Sequence, residues 1–371
     1  MATKFYLWQK FLSRFRLWKS EESQQESKIK KFAFLVHPRI SAREDMGKVF
    51  YPFYFVPETI LQKMIPHFNP IVGGRVKLLD KKEIIGWIIW IPLLGKQFYS
   101  LPKDFVFKKI INAIEMSIEL GAEIVGLGEF VSSITHGGED LIGKVNDILI
   151  TNGNSLTAGV ISKAIEKISE IKIINLMNEK IAIVGAGGSV GRGVSLLLAE
   201  KGIPLILIEK AEKVDELKKF FSPFNNVFIK NEISSIKDAK IIVVTTSATV
   251  QIIKPEYLKE GAVIYDITQP RNTSPDILKE RKDVIIIDGG ILNTPTIDYG
   301  VDIGLRKHQA YACLVETMIC ALEGIEENYV GYTRIETIKK MLDLMEKYQN
   351  YFKLNIFQSF GKPLNNKLEF I

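Results

Sequence analysis

The chain has 371 residues, 46% hydrophobic and 25% charged, with a formal net charge of +6. That is enough for two domains with sizeable cores, and so small a positive excess, with no broad basic stripe, argues against nucleic acid as a partner. Two cysteines, Cys313 and Cys320, are too few for a disulfide framework, and no Cys/His spacing suits zinc, so no metal site is expected.

No run of about 18 uninterrupted apolar residues is present to cross a membrane. The first residues also lack the apolar run and small-residue cleavage site of a secretory signal, so the expected setting is the cytoplasm. Residues 1–20 stand apart. Phe5, Trp8, Leu12, Phe15 and Trp18 recur at helical spacing, while Lys4, Lys10, Arg14, Arg16 and Lys19 supply only positive charge. A basic, aromatic amphipathic helix suits the inner face of a membrane as a peripheral anchor; packing on the protein's own body or on a partner subunit is the alternative. A polar tether follows, and residues 1–30 form a unit outside the folded body.

Residues 31–154 read as a substrate domain. It opens with the strand-like FAFLVHP, and residues 84–94 (IIGWIIWIPLL) read as a buried strand. Residues 105–120 carry the pattern of an amphipathic helix ended by Gly121. A strand over 123–127 runs into a loop, 128–138, that holds Ser132, Ser133, Thr135 and His136. After a short strand at 147–150, the turn Thr151-Asn152-Gly153-Asn154-Ser155 caps a helix over 156–169.

Residues 155–304 read as a nucleotide domain. Ile181, Ile183 and Val184 make a short buried strand, a glycine-rich turn follows, and a helix is expected over 194–201. Gly185, Gly187, Gly188, Ser189, Val190 and Gly191 would form a pyrophosphate cradle at the positive end of that helix. The spacing fits G-x-x-G-x-x-G better than strict G-x-G-x-x-G, because position 190 is valine. The next strand, 204–208, ends at Glu209, where an acid reaching the adenosine ribose is expected. Further strands over 241–244, 261–266 and 284–287 alternate with helical segments, as a doubly wound sheet requires. Thr245, Thr246 and Ser247 end the first of these and are expected at the cofactor. A helix over 305–323 would carry both cysteines on one face, within a C-terminal helical segment, 305–371. The fold class is α/β, a Rossmann-type doubly wound parallel sheet with a second α/β substrate domain.

Three stretches together resemble one family: LGEFVSSITHGG with TNGNSLTAG, then VGAGGSVGRG, then GGILN…DIGLRKHQAYACLVETMICALEG. In this order they are similar to the long-chain fatty acyl-(acyl-carrier-protein) reductases of cyanobacteria, relatives of shikimate-dehydrogenase-like and glutamyl-tRNA-reductase-like folds. The resemblance covers about residues 31–325. It implies reduction of an acyl thioester, carried by an acyl carrier protein or coenzyme A, to a fatty aldehyde through an acyl-cysteine. The family's A-C-[FL]-x-E motif falls on Ala312-Cys313-Leu314-Val315-Glu316, which gives the nucleophile's role to Cys313 and none to Cys320.

A thiolate exchanges readily with a thioester, and a cation or helix N-terminus activates it. His308, five residues before Cys313, is one candidate partner. His136 is a candidate proton donor to the oxyanion. Ser132, Ser133 and Thr135 either donate there or tie the loop to its own backbone. The resemblance implies NADP(H), with Lys210 and Lys213 as basic residues near a 2′-phosphate; Glu209 argues instead for NAD(H). Two other readings stand beside this one: a shikimate-type dehydrogenase of a small ketone, with Cys313 inert, and a non-catalytic, membrane-docked NAD(P)H-binding protein.

Overall fold

The computed structural model describes residues 29–38, 41–78, 83–248 and 250–364; the N-terminal amphipathic segment, 1–20, lies outside them. The first half of the chain lays down β1 (Lys30–Val36), β2 (Ile71–Leu78), β3 (Ile84–Trp90), β4 (Ile124–Leu127) and β5 (Leu149–Thr151). β3, β1, β4 and β5 run parallel, and β2 lies antiparallel along β3. Alternation of side chains along β1 builds both sides of this sheet. Phe32 and Phe34 face one core, while Ala33 and Leu35 face another that includes Ile110 and Ile114 of the helix Lys103–Glu119. Pro92 follows β3, whose seven residues are all buried, so the apolar run read as 84–94 is a strand only to Trp90.

The second sheet holds β6 (Lys180–Val184), β7 (Leu205–Ile208), β8 (Val227–Lys230), β9 (Ala239–Val244), β10 (Val263–Asp266) and β11 (Ile285–Asp288). Its order is β11-β10-β9-β6-β7-β8, every neighbouring pair parallel, which is the doubly wound Rossmann arrangement. Apart from the edge strand β8, which is partly exposed, these strands are short apolar runs because helices and loops cover both faces. Ile181, Leu205 and Ile241 enter one core, and Ala182, Ile206 and Ile242 the other. The helix Asn154–Lys172 links the two sheets.

The chain then turns back. β12 (Ile291–Asn293) is followed by β13 (Ile297–Asp298), which pairs antiparallel with β2 and joins the first sheet. β14 (Gln309–Tyr311) pairs with β12, and the helix Ala312–Glu323, here the cysteine helix, packs against β1, β3 and β4. That helix therefore starts at Ala312, not at residue 305. Residues 309–311 are a strand, and His308 takes a left-handed φ of 61° that interrupts any helix before it. Two other expectations shift. The helix after the glycine turn runs Ser189–Glu200, because Gly191 and Gly193 are helical residues in close packing rather than loop residues. The stretch 128–138 contains a short helix, Glu129–Ile134. Among the described residues no helix is long and apolar enough to cross a membrane.

Candidate active site

A cleft of about 870 Å³ lies at the carboxyl ends of the parallel strands of both sheets, the crevice where ligands bind in open α/β folds. From the first sheet come apolar side chains, Phe34, Val36, Ile88, Trp90 and Leu127, joined by Leu314 of the cysteine helix. From the second come the glycine turn, Glu209 and Thr245–Ser247.

The glycine turn occupies the gap between β6 and its helix. Gly188 is the N-cap and makes no side-chain cap hydrogen bond, so the first-turn amides of the helix present its positive end to the cleft. Gly187 donates its amide to Oε2 of Glu209 at 2.7 Å, and Oε1 of the same carboxylate accepts from the amide of Lys210 at 3.0 Å. A Cβ on Gly187 would stand 2.8 Å from that Oε2, so glycine is the residue that lets the carboxylate close on the turn. Thr245 Oγ1 donates to the carbonyls of Val184 and Gly185 at 2.9 and 3.2 Å, holding the end of β9 against the turn. Thr246 Oγ1 donates to Asn272 Oδ1 at 2.5 Å, and Ser247 is exposed in the cleft.

Ser189 commits its hydroxyl to the chain itself, donating to the Gly331 carbonyl and accepting from the Thr333 amide, each at 3.1 Å. Gly185, Gly188 and Val190 line the cleft, whereas Gly191 is the third residue of the helix, where a Cβ would collide with the Gly185 carbonyl. An uncapped helix end, a tight glycine turn and a fixed carboxylate after β7 together fit the pyrophosphate and ribose of a dinucleotide.

Cys313 is the second residue of the cysteine helix, half-buried and lining the cleft. The N-cap, Tyr311, makes no side-chain cap hydrogen bond, so the helix's positive end lies beside the thiol and favours negative charge there. Gly153, with φ +71°, packs directly on Cys313: a Cβ at 153 would collide with Cα and Cβ of the cysteine. Three residues on, Glu316 is fully buried. Its Oε1 accepts from Thr151 Oγ1 at 2.5 Å and its Oε2 from the Leu156 amide at 2.6 Å, tying the cysteine helix to the start of the linking helix. Burial outweighs these hydrogen bonds and pushes the Glu316 carboxyl up to about 6. Cys320 is buried inside the same helix, and desolvation raises its thiol well above the ordinary range. Of the two thiols, Cys313 is the one that lines the cleft.

The two histidines separate. His136 lines the cleft, with 68% of its side chain exposed, and its Nδ1 lies 2.9 Å from Asp140 Oδ2. Burial raises Asp140, but the hydrogen bonds and charges of His136 and Lys103 leave it below its usual value. His308 does not line the cleft. It sits in the turn before β14, its Nδ1 3.3 Å from the Ile297 carbonyl, and strand β14 separates it from the helix. The helical proximity expected of His308 and Cys313 is thus absent. Ser132 and Ser133 line the cleft, while buried Thr135 is tied to its own backbone through the Val131 carbonyl and the Gly138 amide.

Sequence reading missed several residues here. His37, after β1, is buried edge-on against Phe98 and Phe130, its Nδ1 donating to the Pro38 carbonyl at 2.9 Å. Asn152 donates to the carbonyls of Gly137 and Gly331 at 3.1 and 2.9 Å, stitching the His136 turn to a later segment. In that segment Tyr332 reaches the Gly187 carbonyl at 3.4 Å. FLVHP and TNGNS were visible as elements; the 331–333 crossing has no local signature, since it depends on the chain's return.

With this geometry in place, comparison with known proteins finds a family model that matches part of the chain, and several relatives. Residues 163–289 match the shikimate/quinate 5-dehydrogenase family model. The aminotransferase PigE of Serratia sp. is 31% identical over 295 residues, covering 76% of this chain and 34% of that protein, so the chain spans about a third of that relative's length. A long-chain acyl-(acyl-carrier-protein) reductase of Synechococcus elongatus is 26% identical over 250 residues, covering 63% of this chain and 72% of the relative. Among solved structures, L-tryptophan dehydrogenase from Nostoc punctiforme is similar at 12% identity and a TM-score of 0.41, over 87% of this chain and 84% of that one; a likeness at that level carries no functional statement. The sheet order and the matched region together make this an α/β chain with a Rossmann-type domain of the NAD(P)-dependent oxidoreductase kind.

Proposed function

We propose that the chain reduces a long-chain acyl thioester to a fatty aldehyde, with Cys313 as the nucleophile. The observation that carries this is the placing of one thiol, at a helix N-terminus, in a cleft with an apolar wall on one side and a glycine turn on the other. The Cys313 thiolate attacks the acyl carbon; a C–Sγ bond forms, the donor's C–S bond breaks, and the donor leaves as a thiol after taking up a proton. The positive end of the cysteine helix favours the carbonyl oxygen as it gains charge. The apolar wall receives the alkyl chain and excludes water from the acyl-enzyme. A reduced nicotinamide bound at the glycine turn would supply hydride to the acyl carbon. Collapse then returns Cys313 as thiolate and releases the aldehyde, so one proton is consumed per turnover.

The similarity to the Synechococcus elongatus reductase supports this reading. The donor, an acyl carrier protein or coenzyme A, and docking to a membrane through residues 1–20 belong to the same proposal. The family match to shikimate/quinate 5-dehydrogenase favours a second reading, reduction of a free ketone, in which Cys313 has no chemical part. Oxidation of reduced cofactor, followed with a long-chain acyl thioester and with aldehyde detection, tests between them. Cys313→Ala is expected to lower that rate by about 10³-fold or more. Equal turnover in the variant, or turnover with small ketones alone, would favour the ketone reading.

A further inference from the structure

We infer that the glycine-turn site takes NAD(H) in preference to NADP(H), and that Glu209 sets the choice. This rests on the dinucleotide reading of that site and runs against the NADP(H) implied by the family resemblance. Glu209 immediately follows β7 and lines the cleft, where the adenosine ribose of a dinucleotide lies. Its carboxylate is not a loose surface group. One oxygen accepts from the Gly187 amide at 2.7 Å and the other from the Lys210 amide at 3.0 Å. A Cβ at 187 would press on Oε2 at 2.8 Å, and the two amide hydrogen bonds join the carboxylate to the turn.

A carboxylate held in this place can only accept hydrogen bonds. A ribose 2′-hydroxyl donates one; a 2′-phosphate brings negative charge and acceptors against it. The cations nearby do not reverse the balance. Lys210 and Lys213 line the same rim, but so does Glu212, and the four side chains sum to no net charge. Arg192, on the glycine-turn helix, spends its charge elsewhere: it is paired with Glu216, and its guanidinium lies 4.1 and 4.9 Å from the ring centroids of Tyr332 and Phe220. Two exposed, flexible lysines would have to be ordered to neutralise a phosphate, while Glu209 is already in place.

Calorimetric titration of the full chain with NAD⁺ and NADP⁺, which needs no turnover, tests the inference. The native chain is expected to bind NAD⁺ at least about tenfold more tightly. Glu209→Gln, which keeps the shape and removes the charge, and Glu209→Ser should each weaken NAD⁺ binding and strengthen NADP⁺ binding, with thermal unfolding checked for each variant. Lys210→Ala should leave the native preference in place. Tighter NADP⁺ binding by the native chain, or a preference unmoved in both Glu209 variants, would overturn the inference and leave the dinucleotide site standing. Binding of neither nucleotide would overturn both.

Discussion

Cys313 packs on Gly153 with no room for a side chain between them, and the proposed chemistry depends on that contact. The cysteine needs a neighbour without a side chain, and the backbone at 153 needs a residue tolerant of φ +71°. Gly153→Ala meets both penalties. It is expected to cost about 1–3 kcal/mol of stability from backbone strain and, beyond that, to displace Cys313 and lower its rate of alkylation. Urea unfolding and labelling kinetics read these separately; an unchanged labelling rate would mean that the contact does not position the thiol. Cys313 itself stood out in the sequence because the A-C-L-x-E pattern is contiguous, and the structure puts it in the cleft. The pairing with Gly153, 160 positions earlier, was not, since the TNGNS turn gives a cap signal but no sign of what packs upon it.

The cysteine helix and the linking helix Asn154–Lys172 are held together by Glu316, through Thr151 and Leu156. Burial raises this carboxyl from 4.5 to about 6, so the folded state holds its proton more tightly than the unfolded chain does. Its contribution to stability is full below the unfolded value and is lost as pH rises through about 6. The loss is about 2 kcal/mol, at about 1.4 kcal/mol per unit. Glu316→Gln stays neutral and escapes it. The stability of the native chain relative to this variant should therefore fall by about that amount between pH 4 and pH 7, read from urea midpoints; a difference independent of pH would contradict the buried-carboxyl account. At this scale the glycine turn and the strands around it were legible, because each is a local pattern of apolar run and turn. The helix starts were less so. Gly191 and Gly193 look like loop residues in sequence and are helical for reasons of packing, and a left-handed turn at His308 places that side chain away from the cleft.

Across the whole molecule, the parallel strands of a mixed first sheet and the all-parallel second sheet meet at their carboxyl ends, and the chain crosses back from the second to the first to close the cleft. β13 joins the first sheet, the cysteine helix packs on that sheet, and residues 331–333 run over the glycine turn. The alternation of strand and helix announced the second sheet as doubly wound; β8 and the strand order were not read from it. The return did not announce itself: β13 is two residues long, and the contacts of Asn152, Gly331 and Tyr332 join positions far apart in sequence. That return brings Cys313 into the same cleft as the cofactor cradle. The most direct measurement is the intact mass of the protein after mixing with a long-chain acyl thioester in the absence of nucleotide. One added acyl group, missing in Cys313→Ala and discharged by reduced nicotinamide cofactor, is the predicted result. No added mass, from a protein that still binds the nucleotide, would contradict the thioester-reductase account and return Cys313 to the packing of its helix.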